Sequence, residues 1–262
     1  MTNGGAGEPS HGSEICPQVQ GSGKEGDNMA SGKSGGLFEN RKLERLYAEY
    51  DMNDVIDRQK YNMIMGGIVA YGLIINLILC KAVPHVYEYI NPLLFLLIYF
   101  ALVIMGTIMS ARSGNPVISF IGYNMVVVPC GLVVSMTVEA YGGVDSAIVG
   151  QAFTYTLCIT GIMIAASMLM PAVFETIGRY LFVGLIAVLI GSVVGIFING
   201  VFNVMSWVGA LLFSLYIGYD FYRAQQYTPT LDNAVDCALD IYLDIINLFL
   251  RLLSILGRRS RD

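Results

Sequence analysis

Asp240, Asp244, Asn247 and Arg251 are spaced four, three and four apart within an otherwise apolar segment, residues 236–256. At about 100° per residue, all four fall within about 60° of a helix circumference. Asp236 extends the stripe, and the rest of the segment is mostly Leu, Ile and Phe. An ionisable residue at the centre of a membrane helix costs about 2.5–3.5 kcal/mol. Asp240, Asp244 and Arg251 together cost roughly 7–10 kcal/mol, against roughly 4–7 kcal/mol gained from the twelve Leu, Ile and Phe. Such a helix belongs inside a bundle, with its polar face toward protein or water rather than lipid.

A further acid ends the preceding apolar segment. Asp220 stands near its end and Arg223 follows at i+3, the spacing of a helix-surface ion pair. Two carboxylates in one poorly hydrated site cannot both ionise cheaply, so they share a proton. That pair is a pH sensor, and when ionised it offers the hard oxygen ligands that suit Ca²⁺. Asp220 and Asp244 are the candidate ion-binding pair, with Asp240 one turn away as a third pH-sensing acid. Calcium is here the bound or transported ion, and no other cofactor is expected. Arg223 is one candidate for a gating salt bridge. Arg112, at the mouth of a short loop expected on the same side, is the other, as a latch closing the site. Plainer roles exist for several of these residues. Asp220 and Arg223 could form an ordinary helix-end pair, Asp232 and Asp236 a solvated helix start, and Asp240 could face a water-filled vestibule.

The elements that must hold this stripe follow from composition. The 262-residue chain is 55% hydrophobic and 13% charged, with a mean hydropathy of +0.61. A soluble domain is nearer 45–50% apolar and about 25% charged, so a soluble enzyme is not expected. Residues 1–60 carry 10 acids and 7 bases, which leaves 18 charged side chains for the other 202 residues. Apolar spans of about 20 residues, the length that crosses the hydrocarbon core, fall near 61–80, 92–111, 117–138, 147–170, 178–198, 203–222 and 236–256. The chain is expected to be an all-α polytopic membrane protein with seven transmembrane helices. The short loops leave little room for an extramembrane catalytic domain. Gly191 and Gly195 form a GxxxG pair, and Gly66-Gly67 precede Gly72; both groups suggest close helix packing.

Residues 1–36 are Gly- and Ser-rich and read as disordered. Residues 37–60 have helical composition, with Leu43, Leu46, Tyr47 and Tyr50 on one face. Domain boundaries are thus a cytoplasmic tail over 1–60, a membrane domain over 61–257 and a basic end over 258–262. No cleavable leader is visible, so the first apolar span is expected to direct insertion. The Lys and Arg of the tail, with Arg112, Arg179 and Arg223, favour a cytoplasmic N-terminus. Seven full spans would put the C-terminus outside, and a re-entrant last segment would return it. The five cysteines and two histidines show no zinc or disulfide spacing, and no basic-aromatic face suggests nucleic acid. The expected partners are the lipid bilayer, calcium and protons, with no protein partner indicated.

Ser214-Leu-Tyr-Ile-Gly-Tyr-Asp220, followed by Ala238-Leu-Asp-Ile-Tyr-Leu-Asp-Ile-Ile-Asn-Leu-Phe-Leu-Arg-Leu-Leu-Ser-Ile-Leu-Gly257, resembles the C-terminal signature of the Bax inhibitor (transmembrane Bax inhibitor motif) family. The match is specific over about the last 50 residues. Upstream it rests on span number and on Arg112-x-Gly. The resemblance implies a seven-helix bundle with the C-terminal helix central, ringed by the other six. It also implies a pH-sensitive Ca²⁺ leak in which Asp220 and Asp244 are the sensing pair and Arg112 the latch. Relatives reside in the plasma membrane of bacteria or the endoplasmic reticulum of eukaryotes, where they suppress cell death. Asp240 departs from the motif, which usually has a small or uncharged residue there. The competing readings are a non-conducting interaction or scaffold protein and a proton-coupled transporter. An intramembrane aspartyl protease is disfavoured by the lack of Gly-x-Gly-Asp and Pro-Ala-Leu motifs, and no catalytic residue is assigned.

Overall fold

The computed structural model describes residues 54–83, 91–198 and 201–259. The expected amphipathic segment, apart from its last residues, and the end of the basic tail lie outside these. The helix starts are encoded locally. Asn91 and Asn115 each precede a proline, and their side chains accept the N–H of Leu93 and Val117 at 3.0 and 2.9 Å. Pro92 and Pro116 then occupy the first turn, where a missing donor costs nothing. These pairs open α2 (Pro92–Arg112) and α3 (Pro116–Ala140). Asp57 caps α1 (Arg58–Ala82) through the Gln59 N–H. After a turn in which Gly142 and Gly143 take positive φ, α4 runs Ala147–Leu169 and α5 Pro171–Phe197. α6 spans Val201–Gln226 and α7 Leu231–Arg259, the latter opened by the Thr230 hydroxyl accepting from the Asn233 N–H.

The all-α polytopic architecture is as expected, with seven helices among the described residues. Helices α1–α6 are long and apolar enough to cross a membrane. α7 carries too much charge to qualify and is instead enclosed. It packs against α1, α3, α4 and α6, with a smaller contact to α2. α5 lies outside α6 and reaches the last helix through Ser192, which accepts from Arg251 at 3.1 Å. The expected ring of six around α7 is therefore an inner ring with α5 set back. α2 and α5 face outward with only 11% of their spans buried, against 50% for α3.

Three boundaries differ from expectation. α5 begins at Pro171, not near 178, because proline suits a first helical turn and Glu175 and Arg179 lie exposed on the helix surface. α1 begins at Arg58, inside the expected tail, and α7 continues to Arg259, inside the expected basic end. The last segment is one unbroken helix that does not fold back on itself. α7 is one helix antiparallel to α6 along its length, from Asp240 beside Arg223 to Arg258 over the Phe202 ring. The chain before α1 is pinned to the α6–α7 connection. Val55 bridges Thr230, the Ile56 N–H donates to the Pro229 carbonyl at 2.8 Å, and Arg58 donates to the Tyr227 carbonyl at 3.0 Å.

Close approach depends on glycine at α2–α3. A Cβ at Gly122 would sit 2.7 Å from the Gly106 carbonyl oxygen and 2.8 Å from the Ser110 nitrogen. Backbone cannot swing away as a side-chain tip can. Gly122→Ala is therefore expected to lower the unfolding free energy by about 1–3 kcal/mol, the cost of overpacking, read from thermal unfolding in detergent. An unchanged transition would show that α2 slides without penalty. Gly191, Gly195 and Gly72 likewise meet neighbouring helices, whereas Gly66 and Gly67 have nothing within 4 Å of a built Cβ and do not pack.

Candidate functional site

The polar stripe of α7 lies along α6. Arg223 Nη2 donates to Asp240 Oδ2 at 2.6 Å and lies 3.3 Å from Asp220 Oδ1. The Asp220 and Asp244 side chains lie beside each other. Both residues are buried, and Asp244 Oδ2 has no hydrogen-bond partner among the described residues. Three carboxyl groups and one guanidinium thus share a small volume, about 9 Å inside the end of α6 at 1.5 Å per residue.

The local sequence makes this packing possible. Gly218 and Gly178 leave room for the Phe174 ring and the Tyr219 ring at the α5–α6 contact. Tyr219 lies under the guanidinium, with Arg223 Cζ 5.7 Å from its ring centroid, a cation–π distance. Tyr216 is also close enough to feel the charge of both Asp220 and Asp244. Two carboxyls this close in a buried setting repel each other when both are charged. Arg223 carries the opposite charge on the outer side of Asp220.

The sequence-predicted residues separate into groups. Asp220, Asp244, Asp240 and Arg223 come together. Asp240 pairs with Arg223, and it is the most exposed of the three acids. Arg112 does not join them: it is exposed at the end of α2 and makes no ion pair with either aspartate. The cation beside Asp220 is instead Arg223, three residues further along the same helix. Asn247 donates back to the Leu243 carbonyl at 2.8 Å. Arg251 lies across Gly209, where a Cβ would come 3.0 Å from its Nε.

Asp236 and Asp232 are not a solvated helix start. Asp236 is buried and accepts from the Ser110 hydroxyl of α2, and Asp232 accepts from Ser119 of α3 at 2.6 Å. A four-residue step falls about 40° ahead of a full turn, so Asp236 and Asp232 rotate progressively off the α6 face toward α2 and α3. On the side facing α1, the Asn76 amide donates to the Tyr242 hydroxyl at 2.9 Å. Asn76 carried a readable signal: a lone amide within an apolar helix needs a partner. Ser110 and Ser119 carried none, because hydroxyls satisfy themselves on their own helix backbone. Among the described residues, no group of three or more His, Cys, Asp or Glu side chains converges as metal ligands. The two aspartates fall short of the six to eight oxygens of a resident Ca²⁺ site.

The sequence model of the family described as inhibitor of apoptosis-promoting Bax1 matches residues 52–261. Curated relatives include an uncharacterized protein of Helicobacter pylori, 32% identical over 42% of this chain and 47% of the relative. Another is an uncharacterized protein of Campylobacter jejuni, 33% identical over 48% and 53%. An uncharacterized membrane protein of Vibrio cholerae is 37% identical over 32% and 38%. The chain spans about half the length, or less, of the curated relatives it matches.

Proposed function

The chain belongs to the inhibitor of apoptosis-promoting Bax1 family of multi-pass membrane proteins, and from that premise we propose that it is a non-enzymatic, pH-sensitive calcium leak gated by the Asp220–Asp244 pair. The observation that carries this reading is the contact between two buried carboxyls on α6 and α7 with Arg223 clamped on one of them. With both carboxylates of the pair ionised, Arg223 balances their charge. As the pH falls the pair takes up one shared proton, and its pull on Arg223 weakens. The clamp is then released and the α6–α7 contact loosens. The sign is therefore a larger Ca²⁺ leak at lower pH. The exposed oxygens of Asp240 would form the approach to the pair from the end of the bundle that carries Arg58, Arg112, Arg179 and Arg223. By the positive-inside rule that end is cytoplasmic.

The test is Ca²⁺ entry into proteoliposomes, followed with a trapped dye between pH 8 and pH 6. Flux that rises on acidification supports the reading, and flux independent of pH rejects it. Arg112→Gln separates the two arginines. Because Arg112 is exposed and contacts neither aspartate, this variant is expected to keep the wild-type pH profile within about twofold, a difference below 0.5 kcal/mol. Loss of the profile in Arg112→Gln would transfer the latch role to it.

The carboxyl pair alone also resembles the dyad of an aspartyl protease. Here α6 and α7 remain continuous helices through both aspartates, and Arg223 occupies one flank. A scissile peptide would have to displace that ion pair. Transition-state analogues of aspartyl proteases are expected to leave the Ca²⁺ flux unchanged.

A further inference from the structure

The inner ring around α7 is not closed. α1 and α3 pack on one side of α7 and α4 on another, and a cavity of about 290 Å³ lies between them. Its floor is Ile245, Ile246 and Phe249 of the central helix, each less than 10% exposed. Its only polar side chains are Asn76 and Thr156, and both are engaged: Asn76 with Tyr242, and the Thr156 hydroxyl with the Ala152 carbonyl at 2.7 Å. Water needs two to four polar partners to occupy a cavity, and an apolar void of about half this size, ~150 Å³, stays dry and takes up benzene. The chemistry of the walls selects an aliphatic or aromatic hydrocarbon.

The source of that hydrocarbon follows from where the cavity opens. The residues at its mouth, Ile74, Leu77, Phe153 and Leu157, are 44–55% exposed. They lie on spans α1 and α4 and are continuous with the apolar belt that faces the bilayer. Leu77 lies five residues before the end of α1, and Phe153 six residues after the start of α4. At 1.5 Å per residue, the mouth is about 8–9 Å inside the bundle end, at the depth of acyl chains in one leaflet. The bilayer gives no hydrophobic drive to close this gap, because lipid tails are as apolar as its walls. Filling it gains dispersion contacts that an empty void forfeits.

We propose that this cavity is a lateral site for one acyl chain of a bilayer phospholipid, seated against the central helix α7. The site lies away from Asp220 and Asp244 and does not depend on ion conduction. Its test uses the full chain in phosphatidylcholine liposomes containing a phosphatidylcholine with a diazirine on one acyl chain. After irradiation, adducts are mapped by peptide mass spectrometry. Surrounding lipid will label perimeter residues such as Ile190, which is 61% exposed. A seated chain will also label Ile245, Ile246 or Phe249, which perimeter lipid cannot touch. Gly150→Leu supplies the control. Gly150 lines the cavity, and a Cβ there meets nothing within 4 Å, so a side chain can start from that point of the wall. It is expected to cut floor labelling at least about fivefold, about 1 kcal/mol of lost occupancy, while Ile190 labelling persists. Wild-type adducts confined to the perimeter overturn the proposal whatever the variant does. Floor labelling that is unchanged in Gly150→Leu overturns it as well.

Discussion

Arg223→Ala is expected to lower the unfolding free energy by about 3 kcal/mol, the lower end of what breaking a buried ion pair costs, and to leave the leak high at every pH from 6 to 8. Arg223 is the cation held between Asp220 and Asp240, at 3.3 and 2.6 Å, with its side chain 18% exposed. Alanine leaves both acids without that charge, in a site where water reaches only the Asp240 side. The remaining repulsion acts across the α6–α7 contact, the most extensive between any two helices of the bundle. Arg223→Lys keeps the charge but not the planar fork that reaches two carboxylates. It is expected to restore most of the stability and only part of the pH response. Thermal unfolding in detergent and flux in liposomes read the two effects separately. An Arg223→Ala protein with wild-type stability and a wild-type flux profile would remove the clamp from the account.

Asp244→Asn is expected to flatten the flux profile between pH 8 and pH 6 to within about twofold. One linked proton gives at most about a tenfold change per pH unit, so the loss is large. Asparagine keeps the shape and can still hydrogen-bond Asp220, so the helices stay in contact. It has no proton to share. Asp220, with a neutral neighbour at every pH, stays ionised across that range, so the charge that Arg223 meets no longer changes. Asp240→Asn makes the contrast. That side chain is 26% exposed and outside the carboxyl–carboxyl contact, and its removal is expected to displace the profile without abolishing it.

The seven helices were legible because their signals are local. Apolar runs of membrane length and Asn-Pro starts such as Asn91-Pro92 need no tertiary information. The inward placement of α7 was legible from energetics: its stripe of Asp240, Asp244, Asn247 and Arg251 costs more in lipid than its apolar residues offset. The i+3 spacing of Asp220 and Arg223 likewise announced their pair. What could not be read depends on which helix stands opposite. Asp236 and Asp232 share the four-residue spacing of the stripe, yet its rotation carries them to Ser110 and Ser119. Only the packing of α2 and α3 decides that. Asp240 gained its partner from α6, 17 residues earlier in the chain. Arg112 was named from its position beside a short loop, and position near a membrane surface does not fix direction. At Pro171, two charged residues disguised a helix start as a loop.

The same arrangement explains how a strongly polar helix is tolerated in a chain so poor in charge. The helix pairs or hydrogen-bonds Asp232, Asp236 and Asp240 with groups on α2, α3 and α6. Lipid meets instead the exposed Leu, Ile, Val and Phe of α2 and α5. Asp244 Oδ2 is a buried oxygen that no described group satisfies, and under the proposed function a shared proton or a passing cation would meet it.

A double-mutant cycle tests that claim most directly. Ca²⁺ flux at pH 6 and pH 8 would be measured for the wild type, Asp220→Asn, Asp244→Asn and the double variant, at matched protein-to-lipid ratios. A single titrating unit predicts that each replacement alone removes the difference between the two pH values, and that combining them removes nothing further. Two replacements that each take away part of the response, with losses that add in the double variant, would show independently titrating acids and contradict the gate.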